Sequence, residues 1–305
     1  MPFFSIIIPS YNRAHLLQDT LNCILGQTEP DFEIIVVDDA STDNTEELVK
    51  NIQDRRIRYT KNDINLERSA SRNKGIALAN GRFICFCDSD DLWHQNHLSA
   101  IKEAICSNAY KDALYFTGMI WCFPDRKQEV LFPAPEGNLI EYVISNQIGT
   151  PTTCFSKNIL QKYRFRTDMN INEDVELFSR VVSEYNLVQV PFCTVNVIIH
   201  NENTKSLTKD YISPQIHAME IIFNNPSLQN KISSSFKRKV RRNLLHKLIQ
   251  YLRDTNETSK ITYFSLKFLL MYPFDTTRKE KFVLFLYNLP GGSIFEKTIQ
   301  TLKRS

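Results

Sequence analysis

Over the first part of the chain, short continuous apolar runs alternate with stretches whose apolar positions recur at helical spacing. "FFSIII", "EIIVV", "RIRYTK" and "RFICFC" are bounded by turn residues and read as strands. Between the first two, Leu16, Leu17, Leu21, Ile24 and Leu25 mark an amphipathic helix over 14–26. A second helix starts near "STDNTEELV", where Asp43 and Glu46 have capping-box spacing. A third covers 68–79 and stops at Asn80 and Gly81. Strands apolar on both faces and separated by helices predict an α/β fold, a mostly parallel sheet between helices. In such sheets ligands bind beyond the carboxyl ends of the strands.

Further along, a helix is predicted from just after Trp93 to about Asn108, with Asp91 as its candidate cap, and then a strand, "DALYFTGMIW". Residues 124–150 read as loop, punctuated by Pro124, Pro133, Pro135 and Gly137. "NINEDVELFSRVVSEY" is a strong helix with Asn172 as cap, and "LVQVPF" and "TVNVIIH" are strand-like. The pattern changes near residue 201. No Asp or Glu occurs between Glu220 and Asp254, while Lys231, Lys237, Arg238, Lys239, Arg241, Arg242, Lys247 and Arg253 accumulate. The organisation predicted is an α/β domain over 1–205 and a mainly helical, basic region over 206–305, which also holds the apolar segments "YFSLKFLLMYPF" and "KFVLFLYNLPGG".

Composition narrows the class. With 305 residues, 42% of them hydrophobic, the chain can bury a sizeable core. The net charge of +3 makes the whole chain no polyanion binder. Charge in the basic region alone would admit nucleic acid, but no recognition motif accompanies it and no nucleic-acid partner is expected. The cysteines, seven in number, contain no C-x-x-C pair, which argues against a disulfide framework or zinc knuckle and for a reducing compartment. Cys85 and Cys87 share a strand face and belong to the core. The N-terminus does not read as a signal peptide, and no apolar stretch approaches the ~18–20 residues that cross a bilayer. The expected location is cytoplasmic, with residues 231–253 either packed on the protein or in peripheral contact with the anionic inner face of the cell membrane.

Three polar segments fall at predicted strand ends: Pro9-Ser10-Tyr11-Asn12, Asp38-Asp39 and Asp88-Ser89-Asp90-Asp91. A polar turn accounts for one or two of the last three aspartates. Three carboxylates crowded at a ligand edge repel unless a cation neutralises them, and hard oxygen donors favour Mg2+ or Mn2+. Neither a G-x-G-x-x-G fingerprint nor a Walker lysine loop is present, so a metal-bound diphosphate with its nucleoside at the strand ends fits best. Tyr11 is then placed to contact a base, Asp39 to accept from a base N–H or ribose hydroxyl, and Arg72 and Lys74 to meet phosphate.

In order and spacing, "SIIIPSYNR", "EIIVVDDASTDNT", "SASRNKGIALANGRFICFCDSDD" and "NEDVELFSRV" resemble glycosyltransferase family 2, inverting enzymes of GT-A fold, here of the bacterial surface-polysaccharide type. The resemblance covers roughly residues 3–205. It implies a nucleotide-diphospho-sugar donor (UDP-sugars being commonest), a divalent cation, a saccharide or lipid-linked saccharide acceptor, and single displacement at the anomeric carbon. Pro9, Tyr11 and Asp39 match the nucleoside pocket. Asp88 and Asp90 match the D-x-D pair around Ser89, all three in the donor site, with Asp90 as direct metal ligand and Asp88 nearer the ribose and the metal shell. Asp174 matches the catalytic base, and His200 resembles a late histidine that touches the metal or diphosphate. The family's G-x-F-D-E is replaced by "YRFRTDMNINED", a departure that bears on the acceptor loop.

Asp174 lies toward the apolar face of its helix, so desolvation should raise its pKa, against the pull of the helix N-terminus. Glu173 is assigned only a complement to the helix dipole, Trp93 a place in the core, and residues 150–153 either an acceptor-facing loop or a plain turn. Two other readings stand beside the transferase. A sugar-nucleotide-forming nucleotidyltransferase would need a glycine-rich phosphate loop, and residues 5–13 contain no glycine. A non-catalytic nucleotide-sugar or polysaccharide-binding protein would keep the same motifs.

Overall fold

The computed structural model describes residues 1–200 and 211–254. They form two compact units, residues 1–200 with 218–232 and residues 211–217 with 233–254.

The first unit is built on one sheet. Its N-terminal part alternates strand and helix: β1 (Phe4–Ser10), α1 (Ala14–Leu25), β2 (Phe32–Asp38), α2 (Thr45–Asn51), β3 (Ile57–Lys61), α3 (Glu67–Leu78) and β4 (Phe83–Phe86). β3, β2, β1 and β4 lie side by side and parallel, with Ile6 opposite both Ile34 and Cys85. Ile6, Ile7, Ile8 and Ile34 are fully buried, as expected for strands covered on both faces. β5 (Leu92–Trp93), α4 (His97–Ser107), β6 (Ala113–Cys122), β7 (Lys127–Val130), α5 (Leu139–Asn146), β8 (Thr153–Ser156), α6 (Lys157–Lys162), α7 (Glu173–Val182) and β9 (Asn186–Ile198) follow. They continue the sheet in the order β4-β8-β6-β9-β5, with β7 added to β6. β8 is antiparallel to β4 and β6, whereas β6 and β9 are parallel.

Two close approaches set the packing near the site. A Cβ on Gly75 of α3 would stand 2.3 Å from Ile7 Cγ2, so only glycine lets this helix lie against β1. Beyond α3, Glu33 accepts from Ser5 Oγ at 2.7 Å and from the Asn80 backbone N–H at 2.6 Å. Burial works against its charge, yet these donors and Arg58 hold its carboxyl below the usual range. This knot ties the end of α3 to β1 and β2.

Several local expectations change. Asp43 is not half of a capping box. Its carboxylate accepts from the Ala14 N–H at 3.0 Å and the Thr45 N–H at 3.1 Å, serving the starts of α1 and α2 together, while Glu46 pairs with Lys50. Asp91 does not cap α4, which begins after Asn96; the intervening Leu92 and Trp93 pair with β9 instead. Trp93 is core, 3% exposed, its indole N–H donating to Pro151 O. The stretch read as loop holds β7 and α5, the latter capped by Asn138, whose Oδ1 accepts from the Ile140 and Glu141 N–H groups. The two strand-like runs after α7 are one strand, β9, that continues through Pro191.

In the second unit, the first residues of α8 (Ile212–Asn224) and the length of α9 (Ser234–Asp254) share a small apolar cluster: Ile212, Leu245, Leu248, Ile249 and Leu252, flanked by Tyr211, Ile216 and Tyr251. The apolar stripe of the basic segment is therefore spent on internal packing. Among the described residues no helix is long and apolar enough to cross a membrane. "YFSLKFLLMYPF", "KFVLFLYNLPGG" and the residues just after His200 lie outside the described residues.

Candidate active site

Register brings the polar segments together. Ser10 at the end of β1 pairs with Asp38 at the end of β2, and the Cys87 N–H, just past β4, donates to Ile7 O. Beyond these ends opens a cavity of about 460 Å³. Pro9, Tyr11, Asp39, Asp88, Ser89 and Asp90 all line it, with Arg13 and Arg68. Tyr11 stands at 46% exposure, and Asn12 beside it adopts a left-handed φ of 51°. That turn is pinned by the Asn12 N–H to Ser41 Oγ at 2.9 Å and the Thr42 N–H to Asn12 Oδ1 at 2.7 Å. Of the Asp38-Asp39 pair, Asp38 is turned inward to the Tyr59 hydroxyl at 2.5 Å. Asp39 uses Oδ1 to accept from Asn62 Nδ2 and the Leu66 N–H, at 2.7 and 3.0 Å.

The acidic run divides into three tasks. Asp88 Oδ1 accepts from Arg72 Nη2 at 2.7 Å; burial opposes its charge, but Arg72 and Arg68 outweigh it and hold the carboxyl below the usual range. Asp90 is paired with Arg13 Nη1, and its Oδ2 lies 3.1 Å from His200 Nε2. Asp91 is buried and accepts from the Ile198 N–H at 3.3 Å. Desolvation, then the charges of Asp88 and Asp90, push its pKa well up, and its carboxyl serves as an internal anchor for the end of β9. Guanidinium groups thus relieve much of the repulsion that the sequence assigned to a cation. Among the described residues no three His, Cys, Asp or Glu side chains gather closely enough to hold an ion; Asp90 of the cavity wall pairs with His200, which does not itself line the cavity.

Arg72 departs from its expected phosphate contact. Its guanidinium is buried, spanning Asp88 on one side and Glu173 Oε1 at 3.1 Å on the other. Burial lowers the stability of its charge, but Asp88, Glu173 and Asp174 together raise its pKa above the ordinary value. Lys74 is likewise turned away, donating to Lys61 O and Asn62 Oδ1. Glu173 is consequently more than a complement to the α7 dipole: it is one end of a buried ion pair. Asn172 occupies the cap position but adopts a left-handed φ of 55° and makes no side-chain bond to the helix.

Asp174 does not line the cavity; it follows Glu173, which Arg72 links to Asp88 of the cavity wall. Its Oδ1 accepts from the Val175 N–H at 2.7 Å, and Oδ2 lies 3.4 Å from the Thr150 hydroxyl, which a short 3-10 turn presents. Desolvation and the charge of Glu173 raise its pKa to about 6, against the pull of Arg72. A half-buried carboxylate of that basicity is suited to accept a proton near neutral pH.

Arg13 and Arg68 were not singled out in the sequence, and Glu173 was assigned only a complement to the helix dipole. Arg13 is the last residue of "SYNR", and its position three residues past a strand end was the available signal. The pairing of Glu173 with Arg72 has no local signal, because 101 residues separate them.

The architecture is that of the GT-A glycosyltransferases. It matches TarS of S. aureus, residues 1–349 with UDP-GlcNAc, at a TM-score of 0.63 and 18% identity over 88% of this chain and 81% of that one. It matches the mannosyltransferase PcManGT of Pyrobaculum calidifontis, with GDP-Man and Mn2+, at a TM-score of 0.62 and 15% identity over 100% and 81%. In sequence, residues 5–155 match the model of glycosyl transferase family 2. WcaA of Escherichia coli K12, provisionally named a colanic acid biosynthesis glycosyl transferase, is 32% identical over 60% of this chain and 67% of its own. The Escherichia coli UDP-Glc:alpha-D-GlcNAc-diphosphoundecaprenol beta-1,3-glucosyltransferase WfgD is 29% identical over 60% and 71%. The chain belongs to glycosyl transferase family 2, and is a glycosyltransferase.

Proposed function

We propose that the protein moves a sugar from a nucleoside-diphosphate donor, a UDP-sugar foremost, to an acceptor hydroxyl in one inverting displacement. The observation that supports this reading is the buried Arg72, which pairs with Asp88 of the cavity and with Glu173, the residue before Asp174. Asp174 takes the proton of the acceptor hydroxyl as its oxygen bonds to the anomeric carbon. The bond from that carbon to the diphosphate oxygen breaks, and its electron pair leaves with the nucleoside diphosphate. Pro9, Tyr11 and Asp39 hold the nucleoside, with Ser89 and Asp88 under the ribose and sugar. Arg13 and Arg68, which line the cavity, face the diphosphate in place of Arg72 and Lys74.

A divalent cation, Mg2+ or Mn2+, suits a carboxylate and an imidazole held 3.1 Å apart with substrate phosphates completing the shell. Asp90 and His200 would hold it, with Asp88 alongside, and it would neutralise charge on the leaving diphosphate. Mn2+ accompanies GDP-Man in the structurally similar PcManGT.

The acceptor class we assign is a saccharide, free or lipid-linked, of surface polysaccharide assembly, by analogy with the relatives named for colanic acid biosynthesis and for a diphosphoundecaprenol-linked substrate. Residues 1–205 act as the catalytic domain, and the basic face of residues 231–253, within 206–305, meets the cytoplasmic side of the membrane as a peripheral contact. Thermal-shift screening of UDP-, GDP- and dTDP-sugars with Mn2+, then NMR of the product's anomeric centre, tests the reading. A retained anomeric configuration would overturn the single displacement.

A further inference from the structure

The cavity has a second wall that the roles above do not use. β6 and β9 are parallel, with Met119 opposite Val195 and Trp121 opposite Val197. Side chains alternate along strands, so Met119, Trp121 and Phe123 share a face with Val195, Val197 and Ile199. Trp121, Phe123, Val197 and Ile199 line the cavity. The Trp121 and Phe123 ring centroids are 6.1 Å apart with planes at 34°, and the Arg126 guanidinium lies 4.2 Å over the Phe123 ring. Trp121 keeps 38% exposure, whereas the other tryptophan, Trp93, is buried.

We propose that Trp121, braced by Phe123, is the stacking platform for a sugar ring of the acceptor. The inference rests on the reading that the nucleoside lies at the β1 and β2 ends. Asp90 marks the border: Arg13, two residues after Tyr11, holds it from one side, and His200, next to Ile199, from the other. The nucleoside side offers polar groups such as Asp39 for a base edge and a ribose. The β6–β9 side offers an indole face and aliphatic side chains. A pyranose has an apolar C–H face that lies flat on an aromatic ring and a rim of hydroxyls that needs polar neighbours at its edge. An aromatic face next to carboxylates and guanidinium groups answers both needs. Trp121 is a specificity-determining residue here, not a catalytic one.

The test uses the full chain and reads Trp121 directly, because Trp93 is the one other tryptophan and is sealed in the core. With UDP and Mn2+ present, methyl β-glycosides of glucose, galactose, mannose and N-acetylglucosamine are titrated while tryptophan emission is followed. At least one should give a saturable change. In Trp121→Ala, calorimetry should show its affinity weakened roughly tenfold or more, as for a buried aromatic anchor, with UDP and UDP-glucose affinities within about twofold of wild type. Trp121→Phe should recover most of the loss. No emission change with any glycoside, an unaltered glycoside affinity in Trp121→Ala, or an equal loss of UDP or UDP-glucose affinity would overturn the platform. Absence of UDP binding to the wild type with Mn2+ would instead strike the UDP-donor reading on which the platform rests.

Discussion

Arg72 Nη1 lies 3.1 Å from Glu173 Oε1, with 2% and 5% of the two side chains exposed. The pair is desolvated, so each charge depends on the other. Replacing Arg72 by Met leaves Glu173 buried with only the more distant Arg68 Nε, 3.8 Å away, and should cost about 3 kcal/mol in urea denaturation. Arg72→Lys should recover only part of this, because an ammonium cannot span Asp88 and Glu173 as the planar guanidinium does. A loss below about 1 kcal/mol for Arg72→Met would show that the pair does not hold in solution.

Asp174 predicts a pH dependence of opposite sign for activity and stability. As a base it must be ionised, so the transfer rate should fall below pH of about 6. Because its folded pKa is raised above the ordinary 3.8, the stability that protonation contributes is fully present below about 3.8 and lost as pH rises through about 6. Asp174→Asn should therefore abolish transfer, keep donor binding, and melt higher than wild type at pH 7.5 but not at pH 3.5. An unchanged rate in the variant would remove the base assignment.

Asp90 and His200 bear on the cation. With Mn2+ and UDP each near a hundred times its Kd, wild type should gain about 2.7 kcal/mol of stability from either, read as a raised Tm. Asp90→Asn and His200→Ala should lose most of the Mn2+ increment. A Mn2+ increment surviving in both variants would place the ion elsewhere.

Gly75 bears on the packing behind the site. A Cβ there would stand 2.3 Å from Ile7 Cγ2, so Gly75→Ala should destabilise by about 1–3 kcal/mol despite alanine's higher helix propensity. Chemical denaturation of the variant checks this; a more stable protein would mean that Ile7 gives way freely.

The fold was legible where hydrophobic period and punctuation agree. β1, β2 and β4 are continuous apolar runs, and α1 carries a clean apolar stripe, so their type and order followed from local pattern. β8 and α6 escaped because "TCFS" and "KNILQK" are too short to show a period. β9 was read as two runs broken at Cys193, although the strand continues from Asn186 to Ile198. In the site, the residues at strand ends could be placed from topology alone. The partners could not: Arg72, read as a phosphate contact, is fixed by Glu173, and Asp91, read as a cap, is fixed by the N–H of Ile198. Such long-range pairings leave no trace in spacing.

The bond from the Ile198 N–H to Asp91 ties the loop bearing Asp90 to the end of β9, two residues before His200. The two prospective ligands are therefore brought to one place by a fastening one and two residues away. The Asp90–His200 pairing is thus set by the fold itself, and the proposed cation would inherit its geometry without having to recruit it.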